Sequence, residues 1–469
     1  MAFIIYDIIL LVLFAIFISV FLYTRKKNLK KEGLLFLYRT SWGIKLINYV
    51  GEKYTKTLKI LSYVSIGLGY CLMISVFYFF YTILKIYISR PDVVSAIKVP
   101  PIMPLIPYID KMVPGLPEFY FTYWIVILAI IAITHEFAHG IFAAYNKIKI
   151  KTTGFGFFPF FLPVFLAAFV ELDEEKMKTK SKISQMAILS AGTFANVLTA
   201  ILFFIIMWLF FSLAFAPAGV VFDDYSYAFV AISGITSINN VSLINPDYED
   251  IIPLIENTTF NEIKTQDKNY IGVKGFSGDK EFIVLYDDAP AIKSELTGAI
   301  TTINNNKITS IENLGIELDK YSPGEKINII TKINNENGAY EIVLGENPQK
   351  ENSAWLGIGF ISRESKGILG KVSEIVSSFK EPNVYYEPKF NGWSLFIYNL
   401  LWWIVLISIS VALVNMLPVG IFDGGRFFYL TILGITKSEK KAEKSFKFMT
   451  YFFLFLLLVL MILWAWHLI

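Results

Sequence analysis

Six stretches of the chain are apolar enough and long enough to cross a membrane as helices. A bilayer-spanning helix needs about 20 mostly apolar residues. We predict spans near residues 3–23, 58–88, 119–146, 184–216, 393–417 and 448–468. The first stretch lacks a basic N-terminal flank and a small-residue cleavage site, so we interpret it as a retained span rather than a signal peptide.

Lysine and arginine concentrate in alternate connections between these spans. The connections after the first span, after the third and before the last are basic, over residues 24–57, 147–182 and 437–447. Short cytoplasmic loops of membrane proteins carry an excess of basic residues. We therefore expect these three connections to be cytoplasmic and both termini to lie outside. Charged loops are always solvated, but solvation alone does not explain the alternation.

A long polar segment over residues 218–391 separates the fourth and fifth spans. Short β-branched runs, such as residues 326–331 and 340–344, alternate there with Asn and Gly turns, which predicts small β-rich domains. Residues 234–240 and 298–305 are similar to each other, since both contain Ile-Thr and end in Asn-Asn. An internal repeat and chance recurrence in this composition both account for that similarity.

Two further segments do not fit a spanning helix. Residues 152–170 are nearly all apolar, yet they contain Gly154, Gly156, Pro159 and Pro163, which oppose a helix. Irregular backbone is tolerated at membrane depth only where protein or a water-filled cavity covers it. We interpret the segment as a re-entrant hairpin on the cytoplasmic side, with a poorly formed short span as the alternative.

The seven prolines within residues 89–118 predict an extended approach to the third span.

Composition agrees with a membrane protein. Hydrophobic residues make up 55% of the chain and charged residues 17%. A soluble domain would have about 25% charged residues. The balance excludes a purely soluble enzyme, a disordered chain and a nucleic-acid binder. One cysteine, Cys71, allows no intrachain disulfide and no cysteine-based metal site. Any histidine chemistry must use His135, His139 or His467.

The third predicted span contains His135-Glu136-Phe137-Ala138-His139. At about 100° per residue both imidazoles face one side of the helix, and the carboxylate of Glu136 projects beside them. Two histidine ligands with a glutamate as general base are typical of zinc proteases. An ionisable residue at the centre of a span costs about 2.5–3.5 kcal/mol, so three of them indicate a function. The alternative is a polar cluster that binds neighbouring helices together.

A catalytic zinc site needs a third protein ligand and one open position. His467 lies at the far end of the last span, which leaves Asp423 as the candidate. Asp423 follows the fifth span in a stretch that Pro418, Gly420, Gly424 and Gly425 keep from being helical. The alternative is that Asp423 caps a helix over residues 426–435. His135 lies about 22 Å from the outer end of its span, so the site would lie toward the cytoplasmic half of the membrane.

These motifs together resemble the site-2 protease family of intramembrane zinc metalloproteases. The resemblance covers residues 90–435 and is carried by His-Glu-Phe-Ala-His-Gly at 135–140 and by Asn415…Pro418…Asp423-Gly-Gly. Gly192-Thr-Phe-Ala-Asn196 is similar to the family's Gly-x-x-x-Asn motif, and residues 154–175 are similar to its membrane-embedded hairpin. Residues 298–344 resemble the PDZ-like domain that many members carry outside the membrane.

The resemblance implies an intramembrane zinc endopeptidase that cleaves within the transmembrane segments of other membrane proteins. His135, His139 and Asp423 would hold Zn2+, and Glu136 would be the general base. Asn196 and Asn415 would bind the substrate backbone or the developing oxyanion; for Asn196, an interhelical hydrogen bond is an equal alternative. The substrate helix must unwind, and the 152–170 hairpin would then pair with it as an added strand.

The sequence therefore predicts a polytopic α-helical membrane protein with about six transmembrane helices, a re-entrant β-hairpin region and a β-rich PDZ-like soluble insert. Its expected division is 1–88 (first helices and basic loop), 89–217 and 392–436 (the two parts of the catalytic core), 218–391 (extracytoplasmic insert) and 437–469 (last helix). The expected partners are a transmembrane protein substrate and the lipid bilayer, without nucleic acid. We expect a multi-pass protein of a prokaryotic cell membrane.

A zinc-dependent membrane transporter and a non-proteolytic membrane receptor are the alternative functions. Either would use intramembrane histidine and aspartate, but neither needs a glutamate beside the first histidine. Transporters are often built from paired, symmetric interrupted helices, and the predicted spans have no such internal symmetry.

Overall fold

A computed structural model describes residues 2–32, 35–90, 94, 100, 103, 105–113, 115–157, 166–256, 260–333, 336–361 and 367–466. The chain divides into two compact units. One unit is formed by Met1–Phe210 together with Leu395–Ile469, and the other is Phe211–Ser394.

Helices account for most of the first unit. In chain order, the helices of the described residues are α1 (Ala2–Thr24), α2 (Ile44–Lys53), α3 (Thr55–Ser89), α4 (Phe121–Tyr145), α5 (Glu174–Lys178), α6 (Lys182–Ala214), α7 (Tyr248–Ile251), α8 (Pro290–Lys293), α9 (Ile311–Leu318), α10 (Gly367–Ser377), α11 (Gly392–Asn415), α12 (Asp423–Thr436) and α13 (Glu439–Trp466). Short 3-10 turns lie at Lys26–Asn28, Ile109–Lys111, Ile232–Gly234 and Ile252–Leu254.

Six of these helices, α1, α3, α4, α6, α11 and α13, are long and apolar enough to cross a membrane. The prediction of a polytopic helical membrane protein with a β-rich insert is thereby confirmed. The last of them begins at Glu439 rather than near residue 448, so the lysines at 440–447 lie on the helix and not in a loop. A helix can continue beyond the bilayer, because lysine side chains are well tolerated in a solvated helix.

The described part of the proline-rich segment is irregular rather than extended throughout, because turns interrupt it around residues 107–113. Within residues 105–113 and 115–120, the only helical element is the 3-10 turn Ile109–Lys111. Four of the seven prolines, at positions 91, 101, 104 and 114, lie outside the described residues.

A side chain of helix α1, Asp7, caps the N-terminus of α4, the helix that carries the histidine motif. Asp7 on α1 is 2% exposed, and its Oδ2 accepts hydrogen bonds from the backbone N–H of Phe121 (2.7 Å) and the hydroxyl of Tyr108 (2.8 Å). Its Oδ1 accepts from the backbone N–H of Thr122 (2.9 Å). The first N–H groups of a helix have no partner within the helix, and the helix dipole favours a negative charge beside them. The carboxylate of Asp7 therefore fixes where α4 begins.

The strands of the described residues are, in chain order, β1 (Leu29–Glu32), β2 (Leu35–Thr40), β3 (Ile150–Phe157), β4 (Leu166–Leu172), β5 (Phe215–Val220), β6 (Asp224–Tyr225), β7 (Tyr227–Ala231), β8 (Ile235–Ile238), β9 (Val241–Ser242), β10 (Glu262–Thr265), β11 (Asn269–Phe276), β12 (Phe282–Asp287), β13 (Ala299–Ile303), β14 (Asn306–Lys307), β15 (Lys326–Ile333), β16 (Glu336–Val343), β17 (Gly345–Asn347), β18 (Lys350–Trp355), β19 (Ile358–Gly359) and β20 (Val384–Pro388).

The predicted hairpin supplies two neighbouring strands, β3 and β4, at one end of a four-stranded sheet. Strands β3 and β4 pair antiparallel, with Gly154 opposite Phe169, while residues 158–165 between them lie outside the described residues. The sheet order is β1-β2-β3-β4, so the basic segment 24–57 supplies two of its strands. Among the described residues β4 is paired on one side only, which leaves it at the edge of the sheet.

The second part of segment 24–57 forms α2, which packs against α4. Ile47 of α2 is fully buried in a small apolar cluster with Ala144 of α4 and Ile150 of β3. Segment 24–57, which the sequence predicted only as a basic connection, thus packs against both the histidine helix and the hairpin sheet.

Helix α6 packs against α4 through small side chains. Ala187 and Ala191 on α6 and Ala138 on α4 are all buried in one apolar cluster. Small residues let helices approach closely, and in lipid such packing, rather than the hydrophobic effect, holds helices together. The same cluster includes residues of α3, α12 and the turn after α11, namely Leu72, Phe427 and Met416.

The second unit is built from β-sheets, as predicted for the polar insert. One six-stranded sheet has the order β7-β12-β11-β10-β8-β9. Another has the order β16-β15-β13-β5-β20, with β14 paired to β13. Two-stranded ladders join β17 to β18 and β19 to β6.

The two similar segments of the insert have matching local structures. Each is a strand that turns through two asparagines of positive φ, Asn239 and Asn240 after β8, and Asn304 and Asn305 after β13. Asparagine tolerates this left-handed conformation, which tight hairpin turns require. In both, a helix follows, and then a strand returns antiparallel to the first, β10 to β8 and β15 to β13. This agreement favours a repeat over chance. The likeness to a PDZ-like domain stays a prediction.

Candidate metal centre

The two histidines of the α4 motif and Asp423 lie together inside the first unit. His135 Nε2 and His139 Nε2 are 3.0 Å apart. Asp423 Oδ2 lies 3.2 Å from His139 Nε2 and 3.6 Å from His135 Nε2. Both histidines are buried, and the three residues form the cluster of metal-binding side chains found among the described residues.

Asp423 reaches the histidines because the chain turns back sharply after α11. Helix α11 ends at Asn415 and α12 begins at Asp423, with Phe422 at its N-cap position. Asp423 therefore lies in the first turn of α12 and is not the cap of a later helix. A Cβ on Gly424 would stand 2.5 Å from the carbonyl oxygen of Met416, so only glycine allows the start of α12 to fold against the end of α11.

The ring nitrogens that face away from Asp423 are both held by α6. His139 Nδ1 lies 2.7 Å from the backbone oxygen of Ile188. His135 Nδ1 lies 3.0 Å from Nδ2 of Asn196. Metal-binding histidines in proteins almost always bond through their second nitrogen to such a neighbour. The contacts thus present both Nε2 atoms toward Asp423.

The donor set fits a divalent metal ion. With ligand bonds of about 2.0–2.2 Å, a tetrahedral zinc ion holds its ligand atoms about 3.3–3.5 Å apart. The three separations of 3.0, 3.2 and 3.6 Å bracket that spacing. Gly192 of α6 keeps the space open, because a Cβ there would stand 2.5 Å from His135 Nε2 and closer still to His139 Nε2.

Glu136 lies beside the cluster and is held by the edge strand of the hairpin sheet. Its Oε2 accepts a hydrogen bond of 2.9 Å from the backbone N–H of Val170 on β4. That N–H therefore points away from β3 and toward α4. The contact orients the carboxylate and joins the strand edge directly to the histidine helix.

A cavity of about 830 Å³ opens onto these groups. Its walls include His135, Glu136, His139, Asp423, Asn415 and residues 168–172 of β4. The described lining does not include Asn196, which is fully buried behind His135. Of the two asparagines expected to bind substrate, Asn415 thus faces the cavity and Asn196 faces a histidine. His467 lies outside the described residues.

Charged side chains surround part of this cavity. Arg39 Nε bonds Glu171 Oε2 at 2.9 Å, and Arg426 Nη1 lies 3.2 Å from Glu174 Oε1. The hydrogen bond from Arg39, together with that from Thr152, holds the pKa of the Glu171 carboxyl below its usual range. These pairs join β2 to β4 and α5 to α12 beside the cavity.

Sequence reasoning missed several groups that build the centre. The N–H of Val170 and the oxygen of Ile188 are backbone atoms, so residue type gives no signal for them. Asp7 caps α4 from a distant part of the chain. Gly192 was recognised as part of the Gly-x-x-x-Asn motif, but its role in keeping space beside the histidines was not predicted.

A buried pair of histidines and a carboxylate thus form a candidate metal centre, with a glutamate beside it. The described residues that carry it include six helices able to cross a membrane. The family described as Peptidase family M50 matches residues 123–460. The chain belongs to this family, which confirms the resemblance to site-2 proteases.

A further comparison finds a relative in an archaeon. The chain is 32% identical over 189 residues to an uncharacterized protein of Methanocaldococcus jannaschii. The match covers 39% of this chain and 47% of that protein, so it spans about half of the relative's length.

Proposed function

We propose that this protein is a zinc endopeptidase that hydrolyses a peptide bond within transmembrane segments of other membrane proteins. The observation that carries the proposal is the meeting of His135, His139 and Asp423 beside Glu136 in one cavity of the helical unit. A polar cluster that only joined helices would not need a cavity of this size.

His135, His139 and Asp423 would hold the zinc ion. Two imidazoles and one carboxylate form a ligand set of catalytic zinc sites, which keep one further position open. When bound, zinc polarises the peptide carbonyl and lowers the pKa of water toward about 7.

Glu136 is the proposed general base. It follows His135 directly, and the N–H of Val170 holds its Oε2 at the cavity wall. Its carboxylate would take a proton from the attacking water and then deliver that proton to the amine nitrogen of the departing peptide. Asn415 lines the same cavity and is available to bind the substrate backbone.

The edge of β4 is the proposed binding site for the substrate backbone. A helix satisfies its own amides, so a transmembrane substrate must unwind before cleavage. The unwound segment would gain backbone partners by pairing with an exposed strand edge. The N–H of Val170 is already bonded to Glu136, so the added strand would pair at Ala168, which faces the same side by strand alternation. Both residues line the cavity, so a strand added here would lie beside Glu136.

The basic segments support a cavity that opens to the cytoplasm. Arg39 and Lys151, which line the cavity, belong to two of the connections whose positive charge predicts a cytoplasmic location. We therefore propose that the centre lies toward the cytoplasmic half of the membrane and that the β-rich insert is extracytoplasmic.

The proposal is tested with Glu136→Gln. A tagged single-span membrane protein is co-expressed with the wild type, with Glu136→Gln and with Glu175→Gln, a control at an exposed carboxylate. We expect wild type and control to cleave within the span, and Glu136→Gln to lose cleavage while keeping bound zinc. Equal processing by wild type and Glu136→Gln would exclude the proteolytic function. Zinc flux into vesicles that survives Glu136→Gln would instead favour a transporter.

A further inference from the structure

Asn196 has an unusual environment for an amide side chain. It is fully buried on α6, and its Nδ2 lies 3.0 Å from Nδ1 of His135. Its Oδ1 is buried as well and has no hydrogen-bond partner. A buried polar atom without a partner costs about 1–3 kcal/mol, so this oxygen requires an explanation.

The protonation of a metal-binding imidazole supplies the explanation. A neutral imidazole carries one hydrogen, and a ring that offers Nε2 to a metal carries that hydrogen on Nδ1. The Nδ1 atom of His135 is then a donor, and an NH2 group facing it would set two donors against each other. The oxygen and nitrogen of a carboxamide are nearly the same size, so the amide can turn over without needing more space.

We infer that Asn196 is a positioning residue for the metal ligand His135, with its carbonyl oxygen accepting the hydrogen bond from Nδ1–H. The inference rests on the metal site of the proposed function. The bond fixes the tautomer that leaves Nε2 free to bind metal and makes the ring a stronger ligand. The oxygen then has a donor facing it, and the NH2 group takes the buried position that lacks a partner.

His139 also has an oxygen acceptor beside its Nδ1 atom. The backbone oxygen of Ile188 lies 2.7 Å from Nδ1 of His139, where only an N–H donor on the ring makes a hydrogen bond. Ile188 and Asn196 are about two turns apart on α6. One face of α6 thus provides an oxygen acceptor for each imidazole, one from the backbone and one from a side chain.

Zinc affinity tests this inference directly. The dissociation constant is measured on the purified full chain in detergent, by competition with a chelating indicator. Asn196→Leu has nearly the same size and no acceptor, so we expect about 10–100-fold weaker zinc binding. Asn196→Asp keeps an acceptor oxygen and should bind zinc as tightly as the wild type or more tightly. The matched control on the same helix is Thr199→Val, whose buried hydroxyl bonds Thr134 and touches neither histidine.

Two further measurements separate positioning from a general structural role. Thermal unfolding of the metal-free chain should be nearly unchanged in Asn196→Leu. The replacement also removes the buried NH2 group that has no partner, and the metal-free imidazole can carry its hydrogen on Nε2 instead. The visible spectrum of the cobalt-substituted chain should change in Asn196→Leu and be restored in Asn196→Asp. If Asn196→Leu does not fold, Asn196→Ala is compared with Asn196→Asp in the same way.

The outcomes distinguish this inference from the proposed function. Wild-type affinity in Asn196→Leu overturns the inference alone, and so does a loss in Asn196→Asp as large as in Asn196→Leu. Reduced cleavage by Asn196→Leu with unchanged zinc affinity also overturns it, in favour of substrate binding. A wild-type chain that binds no zinc overturns the proposed function, and this inference with it.

Discussion

Replacing Gly192 by alanine should abolish metal binding without weakening the helix that carries it. The added Cβ would stand 2.5 Å from Nε2 of His135 and closer still to Nε2 of His139. Non-bonded carbon and nitrogen atoms need about 3.5 Å. Each imidazole must therefore retreat by about 1 Å, or α6 must move away from α4 by a similar distance.

A displacement of this size is large on the scale of metal coordination. Ligand distances in metal sites hold to within about 0.2 Å. Loss of one outer hydrogen-bond partner already weakens metal binding about 10–100-fold. Displacing two ligands at once should cost more than about 100-fold, or about 2.7 kcal/mol. Alanine favours a helix over glycine by about 0.8–1.0 kcal/mol, so a weaker α6 cannot explain the loss.

The assay is zinc content after purification, followed by competition with a chelating indicator. The matched control is Gly67→Ala on α3, where a Cβ would meet no atom within 4 Å. We expect the control to bind zinc as the wild type does, and Gly192→Ala to be purified without zinc. Zinc affinity of Gly192→Ala within about threefold of the wild type would refute the reasoning.

Three other predictions follow from contacts in the two units. Asp7→Ala leaves the N–H groups of Phe121 and Thr122 without their acceptor. The free energy of unfolding in detergent should then fall by about 1–3 kcal/mol for each N–H group. An unchanged midpoint of the unfolding transition would contradict the capping role of Asp7. Val170→Pro removes the N–H that holds Glu136, and an edge strand tolerates proline at such a position. Cleavage should therefore be lost while zinc affinity stays unchanged. Cleavage at the wild-type rate would contradict the role of β4. Hydrogen bonding from Lys320, with further bonds from Asn306 and Tyr321, holds the pKa of the Glu317 carboxyl below its usual range. Glu317 therefore adds stability above about pH 4.3, the usual carboxyl pKa, and loses it as the pH falls through the lower folded pKa. Glu317→Gln should flatten the acid-induced fall in the unfolding temperature of the insert; a pH dependence identical to that of the wild type would contradict this.

The spans and the histidine helix could be predicted because their signals are local. A run of about 20 apolar residues is enough to indicate a spanning helix. The spacing of His135 and His139 places both imidazoles on one face of any α-helix. The hairpin was also predictable, since Gly154 and Pro159 exclude a helix in an apolar segment.

Other features depend on distant parts of the chain and left no local signal. The mixed apolar and basic pattern of residues 24–57 fits neither a span nor a regular soluble element, so β1, β2 and α2 were not predicted. From the sequence, Asp7 is only an unfavourable charge in a span, because its hydrogen bond with the N–H of Phe121 appears only in the folded chain. For Asn196 the sequence left substrate binding and an interhelical hydrogen bond as equal alternatives, because the neighbour it contacts depends on how α6 packs against α4.

If His135, His139 and Asp423 bind one zinc ion, zinc-edge X-ray absorption of the purified full chain will detect their ligand atoms around the metal. We expect one zinc per chain, with the scattering of two imidazoles and of oxygen ligands in its spectrum. We also expect Asp423→Ala to weaken zinc binding while the imidazole scattering stays. A spectrum without imidazole scattering, or stoichiometric zinc in the double variant His135→Ala, His139→Ala, would contradict it.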